Sequence, residues 1–123
     1  MQYSSQVIEL FDEAYGALMS EDVAAAAVGT AGERAQGCRI RFYLVAENGL
    51  IKRLRYQAYA CPSIIAACSR VVKDLEGGEL SAIGTLEPAD LMALLEIPTE
   101  KAGKMLILQD ALQESCRAAK AAD

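Results

Sequence analysis

The tripeptide Glu47-Asn48-Gly49, set between two alternating segments, constrains the fold of this chain more than any other feature. Asn-Gly accepts the positive φ that a type I′ turn demands, so it marks a β-hairpin. Across residues 39–45, Ile40, Phe42 and Leu44 fall on one face and Arg39, Arg41 and Tyr43 on the other. Residues 50–59 return in the same manner, with Leu54, Tyr56 and Ala58 inward and Arg53, Arg55 and Gln57 outward. A hairpin with one apolar face requires a layer to cover it.

The rest of the chain supplies helices for that layer. Ser4 or Ser5 can cap a first helix whose apolar face is Val7, Ile8, Leu10 and Phe11, running to about Leu18. Residues 22–28 are alanine-rich and suit strand or helix, and 29–37, with Gly29, Gly32 and Gly37, read as a mobile loop. Pro62 is placed to open a helix to about Glu76, closed by Gly77-Gly78. Pro88 opens a short helix over 89–96, ended by Ile97-Pro98, and Thr99 can cap a last helix from about Glu100 to Ala121. The expected fold is α+β: a small antiparallel sheet of about three strands with helices packed on one face, an N-terminal helix and C-terminal helices. Residues 1–123 read as one domain, without repeat or linker.

Composition narrows the function. Of 123 residues, 53% are hydrophobic, enough for one core, while a net charge of −5 argues against nucleic-acid binding. No signal segment opens the chain, and its apolar runs are far shorter than the roughly 20 residues of a membrane helix. A cytoplasmic protein is therefore expected, with its four cysteines kept as thiols or ligands. The absence of histidine removes histidine-based catalysis and every histidine-containing metal site.

Cys61 lies between a strand end and the first turn of a helix, where free N–H groups and the helix dipole favour a thiolate. Cys38 stands where the glycine-rich segment enters the hairpin, so antiparallel pairing brings it to the same end of the sheet as Cys61. Two such thiols could share a metal; the alternative for each is an inert, small apolar residue. Cys68 lies seven residues beyond Cys61, roughly 10 Å along a helix, too far for two ligands of one ion, and reads as core. Cys116 continues the Met105, Leu108 and Leu112 stripe and also reads as core. The cations Arg39, Arg41, Lys52, Arg53 and Arg55 form a solvated outer face or a docking face for an acidic partner.

Over nearly its whole length the chain resembles the IscU/NifU-type scaffolds on which iron–sulfur clusters are built. Residues 3–11 (Tyr-Ser-Ser-Gln-Val-Ile-Glu-Leu-Phe) are similar to the family's opening, and Val28-Gly29 to its glycine-rich segment. Residues 45–51 and 55–67 match the hairpin and the second-cysteine motif around Cys61, the most specific part. Asp90-Leu91, Ile97-Pro98-Thr99-Glu100-Lys101 and Asp110-Ala111-Leu112 follow the order of the later segments.

The resemblance implies a site of three cysteines and an aspartate that holds iron or zinc at one end of the sheet, beside a histidine. Cys61 matches the second cysteine. Cys38 matches the first when aligned from the loop, and Ala35 falls there when aligned from the hairpin. Arg39-Ile40 follows Cys38 where the family has Gly-Asp, and Gly103-Lys104 replaces the family's His-Cys. Lys104 thus occupies the third-cysteine position.

The resemblance implies a non-enzymatic scaffold that binds iron or a nascent iron–sulfur cluster through Cys61 and Cys38 and passes it on. Missing ligands would come from a second subunit, as in a homodimer, or from glutathione. It also implies a cysteine desulfurase and an Hsp70-type chaperone as partners, although Ile97-Pro98-Thr99-Glu100-Lys101 keeps only part of the chaperone motif. The alternative is a cluster-incompetent paralogue that binds the assembly partners as a protein module. A thiol enzyme using Cys61 as nucleophile comes third, lacking a CxxC pair and a histidine base.

Overall fold

The computed structural model describes residues 3–13, 16–17 and 26–121. Its elements are α1 (Ser5–Glu13), β1 (Ala27–Glu33), β2 (Cys38–Glu47), β3 (Leu50–Tyr59), α2 (Pro62–Leu75), α3 (Pro88–Leu95) and α4 (Ala102–Ala121). The strands form one antiparallel sheet in the order β1-β2-β3, which is the α+β arrangement expected.

The hairpin forms as its alternation requires. Ile40, Phe42, Leu44 and Leu54 are fully or almost fully buried, and Asn48 takes φ 55° and Gly49 φ 76° at the turn. The register is not a simple count from that turn. Ala46 pairs with Ile51 but Val45 with Arg53, which leaves Lys52 as an extra residue. This bulge lets Ile51 and Leu54, three apart, both point into the core. Tyr43 faces outward with its cross-strand partner Arg55, yet it is only 7% exposed. Arg41 and Gln57 meet its hydroxyl, each at 3.5 Å.

The segment expected as a mobile loop over 29–37 is instead β1 as far as Glu33, followed by a single 3-10 turn, Arg34–Gln36. The physical reason lies in the row Ala27, Gly29, Ala31, which carries nothing larger than a methyl group. That row lets α4 approach the strand at backbone distance: a Cβ on Gly29 would stand 2.2 Å from the Ala111 carbonyl oxygen and from the Ser115 nitrogen. Glycine here is a packing requirement on a regular strand.

The N-terminal helix also departs from expectation. Val7 and Leu10 are buried, but Ile8 is 51% and Phe11 39% exposed. Helix α1 packs on α2 rather than entering the core on a wide face. The described helix ends at Glu13, Gly16 and Ala17 pair with Tyr56 at the β3 edge, and Leu18, the expected end of the helix, lies outside the described residues. Of the segment 22–28, Ala27 and Val28 lie in β1 and 22–25 fall outside the described residues.

Ser4 does cap α1: its Oγ accepts the Val7 N–H at 3.2 Å and donates to the Leu95 carbonyl at 2.7 Å, tying α1 to α3. Helix α2 starts at Pro62 and stops before Gly77, whose φ is 88°. The chain then runs back along β3, with Ile51 and Gly78, Gly77 and Ile51, and Leu80 and Gly49 joined by backbone bonds of 2.7–2.8 Å. Together with Gly16-Ala17, this segment covers the β3 edge. Glu76 reaches the outer face and pairs with Arg55 at 2.8 Å, so Arg55 is an anchored ion pair rather than a solvated cation. The final helix is entered through a 3-10 turn, Thr99–Lys101.

Cys68 and Cys116 are buried, as their helical positions imply. Burial drives the Cys68 thiol far above its ordinary value of 9.0, with the nearby Cys38 adding to the rise. An unfolded chain sheds that proton above pH 9.0 while the folded chain keeps it. The stability the neutral thiol contributes is therefore complete below that pH and lost as pH rises above it. Urea denaturation should show a decline of about 1.4 kcal/mol per pH unit attributable to this thiol, and Cys68→Ala should flatten it. Gly29→Ala should cost about 1–3 kcal/mol at neutral pH by forcing α4 off β1, read as a lower urea midpoint at unchanged slope.

Candidate functional site

The two sequence-selected cysteines come together by backbone geometry. Cys38 is the first residue of β2 and Arg39 pairs with Tyr59, two residues before Cys61. Cys38 continues the inward row of Ile40, Phe42 and Leu44 and is completely buried. The tight passage from β1 to β2 depends on two left-handed glycines, Gly32 at φ 82° and Gly37 at φ 84°. At Gly32 a Cβ would also lie 2.2 Å from the Cys38 carbonyl oxygen. Ala35 sits exposed in the 3-10 turn of this passage.

Cys61 is the N-cap residue of α2, in extended conformation at φ −73° and ψ 164°. Its carbonyl accepts the N–H groups of Ile64 and Ile65, each at 3.1 Å, while its side chain makes no capping bond. The thiol is half-buried and packs at the margin of the core.

Lys104 stands in the first turn of α4, partly exposed. The resemblance placed this cation at the third-cysteine position, and its charge acts on Cys38. Burial raises the Cys38 thiol above its ordinary value of 9.0, Lys104 opposes that rise, and Cys61 adds to it. Desolvation dominates, so Cys38 is a neutral thiol at neutral pH. Cys38, Cys61 and Lys104 therefore form one electrostatic group at the end of the sheet.

Two thiols of one chain do not close a metal site. Among the described residues no group of three or more cysteine, aspartate, glutamate or histidine side chains is placed to hold an ion. Cys68 is buried near Cys38, within α2, and Cys116 lies far along α4. The exposed Pro98, Thr99 and Glu100 form the entry to α4.

A second feature was only partly anticipated, in the outer face to which the sequence assigned Arg39 and Arg41. Arg34, Arg39, Arg41, Gln57, Ala58 and Tyr59 line a cleft of about 280 Å³ on the outer face of the same sheet end. Arg34 stacks over the Tyr59 ring, 4.7 Å from its centroid. The outward alternation of Arg39, Arg41 and Gln57 signalled part of this cleft. Arg34 carried no such signal, because its place depends on the 3-10 turn.

No helix among the described residues is long and apolar enough to cross a membrane. The NifU-like N terminal domain family profile matches residues 2–121. The chain is 28% identical over 118 residues to the iron-sulfur cluster assembly scaffold protein IscU of Haemophilus influenzae, spanning 92% of this chain and 91% of that protein. It is 27% identical over 116 residues to the protein of the same name from Escherichia coli, spanning 92% and 90%. Its fold is similar to the crystal structure of a nitrogen-fixing NifU-like protein (N-terminal) from Brucella abortus, with TM-score 0.71 at 18% identity over 98% of this chain and 95% of that one. A putative iron-sulfur cluster assembly scaffold protein for the SUF system from Fervidobacterium islandicum gives TM-score 0.67 at 10% identity, over 93% and 96%. Because the family profile spans nearly the whole chain, the protein belongs to the NifU-like N-terminal domain family.

Proposed function

We propose that this protein is an iron–sulfur cluster assembly scaffold whose own thiolates, Cys61 and Cys38, form half of a cluster or iron site. The observation that carries this reading is the convergence of Cys38 and Cys61 at one sheet end in a member of the NifU-like family. Thiolates suit iron–sulfur cargo, and Cys61, on a helix N-terminus, is the accessible member of the pair. Cys38 must lose its proton to bind, and Lys104 assists that loss while opposing a cation at the same place.

A four-ligand site then needs two further donors from outside the chain, either a second copy or glutathione. The role is binding and transfer rather than catalysis, in the cytoplasm. A cysteine desulfurase is the sulfur source implied by the family, with an Hsp70-type chaperone as a further partner.

The second reading is a partner-binding paralogue that carries no cluster. It is favoured by one observation: Lys104, at the position the resemblance assigns to the third cysteine, carries a charge that acts on Cys38.

Anaerobic incubation with iron, sulfide and glutathione separates the two. The scaffold reading predicts a visible chromophore that survives desalting, is abolished in Cys61→Ala and is at least severalfold weaker in Cys38→Ala. A colourless, iron-free wild-type protein would leave the paralogue reading in place.

A further inference from the structure

The outer face of the sheet carries a cleft of its own. Arg39 and Tyr59 are direct cross-strand partners, as are Arg41 and Gln57, so four side chains form a square on adjacent strands. Arg34 closes one side by stacking over Tyr59. Two other cations of this sheet are paired with carboxylates: Lys52 with Glu47 at 2.9 Å and Arg55 with Glu76 at 2.8 Å. Among the described residues no carboxylate pairs with Arg34, Arg39 or Arg41. Arg41 is held by neutral partners, its Nε donating to Thr30 Oγ1 at 3.1 Å. Three guanidinium groups thus concentrate positive charge in one cleft of a chain with net charge −5.

The geometry points to an extended acidic segment of a partner protein as the occupant of this cleft. Guanidinium groups pair with carboxylates through two parallel hydrogen bonds. Arg39 and Arg41 stand two residues apart on one strand face, a spacing of roughly 6.6 Å. An extended chain with acidic residues at alternate positions presents carboxylates at that same interval. The half-exposed Tyr59 adds a rigid aromatic surface beside them, in the Tyr and Arg combination that dominates binding hot spots. This inference does not rest on cluster binding. Arg39 follows Cys38 directly but points to the opposite face of the sheet, so the acidic segment would dock one sheet thickness from the thiols.

Fluorescence anisotropy with the full chain and a dye-labelled peptide, Gly-Glu-Ser-Glu-Ser-Glu-Gly, tests the assignment at low and moderate salt. Saturable binding should weaken about tenfold in Arg39→Gln, the loss of one charge-assisted pair. Arg39→Lys should weaken it less. Lys52→Gln removes the same charge outside the cleft and should leave affinity unchanged. A peptide of equal composition with its glutamates adjacent should bind more weakly. Circular dichroism and urea midpoints equal to wild type show that the variants fold. Absent binding at low salt would overturn the proposal, as would equal weakening by Lys52→Gln. Inorganic phosphate binding with the same Arg39 dependence and displacing the peptide at equal concentration would reassign the cleft to small anions.

Discussion

Helix α4 lies on β1 with no room for a side chain at Gly29, where a methyl would meet the helix backbone at 2.2 Å. That contact organises much of the molecule. It requires the small-residue row Ala27, Gly29 and Ala31 on the inner face of β1, and it brings buried Ala111 and Ser115 of α4 against the sheet. Met105, Leu108 and Leu112 on the same helix complete the apolar cover. The first turn of α4 carries Lys104 to the sheet end where Cys38 begins β2. Packing that serves the core therefore also sets the charge environment of the thiol pair.

The sheet separates two kinds of chemistry. Its inner face is apolar and ends in a desolvated thiol, Cys38, with the more accessible Cys61 at the neighbouring helix terminus. Its outer face carries guanidinium groups, Arg55 paired with Glu76 and others gathered around Tyr59. A strand alternates its side chains, so adjacent residues such as Cys38 and Arg39 serve different faces. Burial and Lys104 then act in opposite directions on Cys38: desolvation holds its proton while the ammonium charge draws it off, and desolvation prevails.

Much of this was legible in the sequence for identifiable reasons. The Asn48-Gly49 turn and the flanking alternation specify the hairpin, and antiparallel pairing alone puts Cys38 near Cys61. The apolar pair Ile51 and Leu54, spaced by three, already encodes the bulge that a count from the turn overlooks. β1 was obscured because its glycines and alanines have low strand propensity; only the demand of α4 for close approach makes them a strand. Ile8 and Phe11 fit a helical stripe, yet α1 has a narrow contact with α2 and leaves them outside it. Arg34 has meaning only through a single 3-10 turn, a local geometry with no periodic signature.

The central claim is that Cys38 and Cys61 form a half-site, with Lys104 standing where a third thiolate would complete it further. Reconstituting Lys104→Cys beside the wild type, with iron and sulfide measured across a size-exclusion profile, tests this most directly. The account predicts that the added thiol raises iron and sulfide retained on the single-chain species and leaves only one donor to be supplied by glutathione or a second copy. Unchanged retention in Lys104→Cys, at wild-type folding stability, would contradict it and separate Lys104 from the thiol site.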